Sequence, residues 1–240
     1  MPRHHTEAAF KAAVEACLTT SGGYARGDRD AFDPELCIDA GTFLAFVRET
    51  QPRKWGYLQN LQKEKAVAVL LADLYRALNS ERQGCLSVLR HGNTLDVTPG
   101  LTGIPAATAE FENPLTGRTW RDAVRQYKHD RDPAELIFQF RRRDPVHFAV
   151  DPYEVYMTTR LADGNMHFLP FNKGFAGGAG DPEPRTRPDG KPPACGRRGL
   201  ERDSLLDILA HFVHLQIDEK RLGGRKVQRE TISSGLPRPC

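Results

Sequence analysis

Three acidic side chains offer the most chemistry in this chain. Glu110 and Glu112 stand two apart in Thr108-Ala109-Glu110-Phe111-Glu112. On a strand, residues i and i+2 leave the same face of the sheet. Asp96 lies upstream, beyond the turn residues Pro99, Gly100 and Gly103. Its segment, Leu95 to Val97, reads as the preceding strand, so its carboxylate would swing beside Glu110. Magnesium takes a few hard oxygen ligands and keeps several waters. Carboxylates from neighbouring strands meet that need, and a cation so held acidifies a water for attack on phosphorus. The plain alternative is that acids near a strand end are simply solvated.

These acids need elements to hold them. The first third reads as helical. Phe10, Val14, Cys17 and Leu18 recur at helical spacing behind Thr6, a candidate N-cap, and Gly22-Gly23 ends the run. A second helix is expected over Thr42 to Val47, stopping before Pro52. A third is expected over Gln62 to Leu78, with Val67, Leu70, Leu71, Leu74 and Leu78 on one side. After Gly92 the texture changes to short strands, Leu95 to Val97 and Ile104 to Phe111. Trp120 to His129 reads as a helix, with Val124 and Tyr127 inward and Arg121, Arg125 and Lys128 outward. Strand-like runs follow at Val146 to Val150, Val155 to Thr159 and His167 to Phe171. The Gly-, Pro- and Arg-rich stretch Gly174 to Gly199 holds little that could pack a core. A last amphipathic helix is expected from Ser204, burying Leu205, Ile208, Leu209, Phe212 and Leu215, with a polar, frayed remainder from Arg221 to Cys240.

Composition bounds the function without naming it. The 240 residues are 39% hydrophobic and 27% charged, with a formal net charge of only +3. Any nucleic-acid contact must therefore come from local patches. The best candidate is Arg141-Arg142-Arg143 with Arg118, Arg121, Arg125, Lys128 and Arg131 upstream, read equally well as phosphate contact or as solvated surface. Five scattered cysteines without a Cys-x-x-Cys pair argue against a disulfide framework and a zinc site. The first residues mix His, Lys and Glu among apolar ones, unlike a signal peptide, and no run approaches a bilayer span. A cytoplasmic protein with no membrane partner is the expectation. His211 and His214 read as ordinary partly buried histidines. Asn172 to Gly180 lacks the Gly-Lys-Ser/Thr ending of a phosphate loop, so no nucleotide site is expected.

Several linked motifs carry a resemblance. They are Gly103-Ile104-Pro105 leading to Thr108-Ala109-Glu110, Asn113-Pro114-Leu115-Thr116-Gly117, and Arg125-Gln126-Tyr127-Lys128 followed by Asp130-Arg131-Asp132-Pro133. Further on stand His147-Phe148-Ala149-Val150-Asp151, Met157-Thr158-Thr159, Leu169-Pro170-Phe171-Asn172-Lys173-Gly174 and Arg202-Asp203-Ser204-Leu205-Leu206-Asp207-Ile208-Leu209. In this order they resemble the N-terminal nuclease region of the type I restriction-modification enzyme R subunit, with gaps, from about Thr6 to Gln216.

The resemblance implies a PD-(D/E)xK nuclease, an α/β (α+β) fold with a mixed central sheet flanked by helices and preceded by a helical region. Its activity would be magnesium-dependent cleavage of double-stranded DNA, in a complex with modification and specificity subunits. Asp96 and Glu110 match the metal-binding acids, and Gln126 matches the glutamine of the following helix motif. Glu112 stands where the family carries lysine, and Asp130 where a tyrosine often follows the glutamine. The expected segments are 1–90 helical, 91–173 nuclease core, 174–202 loop, and 203–240 a helix and tail. The family's ATP-driven motor would follow downstream, so ATP belongs to that motor and not to this chain. Cys195-Gly196-Arg197-Arg198 is what the family's Leu-Trp-Glu-Glu spells one base out of frame, which suggests a compensated frameshift across 183–199 and a truncated, degraded copy. The competing readings are a catalytically inactive remnant that binds DNA or partner subunits, and a helical interaction module resting on residues 6 to 78.

Overall fold

Helix α2 (Ala40–Thr50) starts where Asp39 can cap it: the carboxylate accepts from the Thr42 amide at 2.9 Å and from the Thr42 hydroxyl at 2.6 Å. It ends before Pro52, as expected, but Pro52 then opens a further helix, α3 (Pro52–Gln62). Proline suits a first helical turn because the amide it lacks has no intrahelical partner there. The single helix expected over Gln62 to Leu78 is therefore two. Lys63, at φ 50°, breaks the chain between α3 and α4 (Ala66–Leu78).

The computed structural model describes residues 7–80, 84–92, 102–113, 117–161, 166–171, 200–207, 209, 213–222 and 225–234. Asp96, the N-cap candidate Thr6, the strand expected at Leu95 to Val97 and the stretch Gly174 to Gly199 lie outside the described residues. The chain is a mixed α/β protein. Its contacts divide it into two compact units, one of Met1–Arg26, Thr108–Asp132 and Val146–Cys240, the other of Gly27–Ala107 and Pro133–Pro145. The two interleave along the chain, whereas the segments expected from the sequence follow one another.

The second unit is mainly helical. A short antiparallel pair, β1 (Phe32–Asp33) and β2 (Ile38–Asp39), leads into α2, α3, α4 and α5 (Gly84–His91). Ile38, Phe43, Val47, Trp55, Leu70, Leu74, Leu78, Cys85, Val88 and Ile104 form one buried cluster. Leu70, Leu74 and Leu78 recur every four residues on α4, the spacing that lines one helix face. Gly103, at φ 77°, closes this unit: its carbonyl accepts from the Asp39 amide at 2.8 Å, and a Cβ there would run into the Asp39 and Phe43 backbone.

The first unit carries the sheet. Its strand order is β3 (Thr108–Phe111), β4 (His147–Val150), β5 (Val155–Thr158), β6 (Leu169–Pro170). β3 and β4 run parallel, with Glu110 opposite Ala149, while β4–β5 and β5–β6 are antiparallel. All four residues of β4 are buried, as suits an inner strand. α6 (Trp120–His129) packs on β3 and β4, and α1 (Glu7–Thr20) reaches β3. The expected strand Ile104 to Phe111 is shorter, beginning only at Thr108.

The end of the chain differs from the sequence reading. The helix α7 stops after Arg202–Asp207, and Val213–Leu222 and Arg225–Ser234 form an antiparallel hairpin, β7 and β8. The apolar set Leu205, Ile208, Leu209, Phe212 and Leu215 fits a helix, but Val213, Leu215 and Ile217 fit a strand equally well. Pairing of Val213 with Ser234 selects the strand. The remainder expected to be frayed supplies the second strand. Among the described residues no helix is long and apolar enough to cross a membrane.

Candidate functional site

α6 is fixed at its start by two acids. The Thr119 hydroxyl accepts from the Arg121 amide at 3.3 Å while Asp122 accepts from the Thr119 amide at 2.9 Å, a capping box. Asp151, wholly buried just after β4, accepts from the Trp120 amide at 3.1 Å and from the Tyr153 and Glu154 amides at 2.8 Å each. The helix start is thereby tied to the turn that follows the central strand. The helix dipole also favours acids at this end.

Alternate residues of the β3 segment then meet this helix. The Thr108 hydroxyl lies 2.9 Å from the Tyr127 hydroxyl, Glu110 meets Arg131 just past the helix end, and Glu112 meets Gln126. Phe111, pointing the other way, packs edge-on against Phe10 of α1 at 6.1 Å. The two-residue alternation thus puts both acids on the α6 side. Ala109 and Phe111 are only half-buried, short of the full core position expected for them.

The two carboxylates sit in different surroundings. Glu112 is fully buried; its amide donates to the Val150 carbonyl at 2.9 Å, extending the β3–β4 ladder by one residue. Its Oε1 accepts from Gln126 Nε2 and lies 3.7 Å from the Arg118 guanidinium. Glu110 keeps 14% of its side chain exposed, and Arg131 Nε and Nη2 both reach its Oε1, at 2.7 and 2.6 Å. Carboxylate oxygens are the hard donors magnesium takes, so the residues fit it in kind. Asp96, the third expected acid, lies outside the described residues, and among those residues no group of three or more His, Cys, Asp or Glu could hold a metal ion.

Beneath the acids is a buried polar relay. Thr108 Oγ1 lies 2.7 Å from His147 Nδ1, and burial drives the imidazole down to about 3, leaving it neutral near pH 7. The ring of Tyr127 tilts against His147 at 5.8 Å. This arrangement locks α6 onto β3 and β4.

The expected DNA-contact arginines fall into separate environments. Arg121 lies 4.5 Å over the Trp120 ring, itself stacked on Tyr156 at 3.6 Å, and Arg125 pairs with Asp122 at 3.3 Å. Lys128 is half-buried, Arg142 exposed, and Arg141 stands at φ 70°. Arg143 is the correction. Its side chain is fully buried, with Nε and Nη2 donating to the Leu36 carbonyl at 3.0 and 2.7 Å, so it braces the second unit and has no reach to a phosphate. The sequence named Arg118 and Arg131 only as members of a basic patch. Their pairing with Glu112 and Glu110 was not legible, because spacing of 6 and 21 residues along the chain sets no distance in space. Asp151 and the Thr108–Tyr127–His147 relay also went unforeseen as supports of the site.

Comparison with known protein families, with curated proteins and with solved structures finds no match to this chain.

Proposed function

We propose that the chain is a nuclease module that hydrolyses phosphodiester bonds of double-stranded DNA with magnesium, of the kind found in the R subunit of type I restriction-modification enzymes. The observation that carries this reading is the bond from Gln126 of α6 to Glu112 at the end of β3, with Glu110 two residues before it. It joins in space a helix glutamine and a strand acid that the resemblance pairs in function. The fold class expected with it, a mixed sheet flanked by helices, agrees at the level of a four-stranded mixed sheet with α1 and α6 against β3.

In this reading Glu110 and Asp96 would hold the magnesium, which when bound polarises a phosphoryl oxygen and makes a water more acidic. Gln126 holds Glu112 in place. Arg121 and Arg125 on α6, with Lys128, would meet the DNA backbone, giving binding that weakens steeply with salt. Modification and specificity subunits would supply target recognition in the cytoplasm.

A second reading, an inactive remnant that only binds DNA or partner subunits, draws on a specific observation. Both acids of the site are neutralised by arginines, and Glu112 stands where the resemblance calls for lysine, which would offset charge growing on the phosphate. Nicking of supercoiled plasmid with magnesium separates the two. The parent protein should nick, and Asp96→Ala should abolish nicking. Activity that emerges only in Glu112→Lys, and not in Glu112→Ala or the parent, supports the remnant.

A further inference from the structure

We propose that Arg131 is a displaceable counter-ion of Glu110, a latch that holds this carboxylate until a divalent cation competes it away. The proposal rests on the nuclease reading above and concerns how that site is kept closed.

Three observations converge on it. First, the contact is one-sided. Arg131 Nε and Nη2 both converge on Glu110 Oε1, and among the described residues nothing bonds Oε2. A fork-to-fork pair would engage both oxygens and be harder to break. Second, the two acids differ in access. The Glu112 side chain is 1% exposed and held by Gln126, whereas the Glu110 and Arg131 side chains are 14% and 43% exposed. Releasing Arg131 returns a half-solvated cation to water at small cost. Releasing the buried Glu112 would strand a carboxylate without water. Glu110 is therefore the exchangeable acid and Glu112 the fixed one. Third, only the side chain has to move. The Arg131 amide donates to the Gln126 carbonyl at 3.1 Å, which pins its backbone to the end of α6, where the helix dipole favours a cation. From that anchor the guanidinium has room to leave Glu110 without disturbing the helix.

A simple brace between α6 and β3 would look the same in a static structure, so the test reads metal binding directly. The full chain is titrated with manganese, and free Mn2+ is followed by its electron paramagnetic resonance signal. Arg131→Gln should bind Mn2+ about three- to fivefold more tightly than the parent, the scale of a half-exposed ion pair. Glu110→Gln should lose the binding. Arg26→Gln, which removes the exposed pair of Arg26 with Glu15, should leave it unchanged. If Arg131→Gln matches the parent while Glu110→Gln loses the ion, the latch is overturned and the metal site stands. If neither parent nor Arg131→Gln binds Mn2+ at millimolar concentration, the latch falls together with the metal site itself. Circular dichroism of each variant checks that it is folded.

Discussion

Asp144 illustrates how far a single buried side chain can set solution behaviour. It is almost wholly buried in the second unit, and neither carboxyl oxygen finds a hydrogen-bond partner among the described residues. Desolvation raises its pKa well above the ordinary carboxylate value, and the neighbouring Arg143 only partly opposes this. The folded state therefore holds the proton more tightly than the unfolded chain. Stability from this group is fully present below the unfolded value, near 3.8, and is lost as pH rises through the folded one. Asp144→Asn removes that loss. The variant should gain on the parent progressively from pH 4 to pH 8 in urea unfolding, and a parallel pH profile for the two proteins would refute the assignment. The same burial pushes the Cys85 thiol up, so Cys85 is expected to stay protonated and unreactive while the unit is folded.

Helix α6 does more for the site than any other element. It brings Gln126 to Glu112, Tyr127 to Thr108 and, just past its end, Arg131 to Glu110. Its start depends on the reciprocal bonds of Thr119 and Asp122 and on Asp151. Thr119→Ala deletes the hydroxyl acceptor and leaves the rest of the helix sequence intact. The expected cost is about 1 kcal/mol, the usual worth of an N-cap. Its signature should be faster hydrogen exchange through the first turn of α6 while the amides of β4 keep their protection. Exchange that speeds up equally in β4 would mean that the cap supports the whole unit rather than the helix alone.

At the level of the whole chain, the two units carry buried titrating groups of opposite sign. His147, in the unit with the sheet, is held neutral by burial, with a folded value of about 3 against an ordinary 6.5. Its contribution is present above 6.5 and is lost as pH falls from there toward 3. Asp144, in the helical unit, changes in the other direction over the same acid range. Scanning calorimetry from pH 7 to pH 4 should therefore resolve two transitions that move apart, the His147 unit melting earlier and the Asp144 unit later. His147→Gln should flatten the first movement and Asp144→Asn the second. Two transitions that shift together, unaffected by either variant, would remove the basis for treating these groups as the determinants.

Local chemistry was enough to set several features of this protein in advance. The bounds of α6 follow from Thr119, Asp122 and the periodicity of its apolar residues, and the strands at β4 and β5 follow from short β-branched and aromatic runs between turn residues. The placing of Thr108, Glu110 and Glu112 on one face follows from the two-residue repeat of an extended chain. Each of these is decided within a few residues, where backbone sterics and capping act. Other features required the chain to meet itself across long separations. The segment after Asp207 satisfies helix and strand patterns alike, and a partner strand 21 residues away turns it into a hairpin. Arg143 looks like its exposed neighbour Arg142 until the Leu36 carbonyl, 107 residues distant, takes its guanidinium into the interior. Arg131 looks like a surface charge until the end of α6 sets it on Glu110. Burial and charge pairing depend on which groups come within a few ångströms, and that distance is a property of the packed chain, not of the order of its residues.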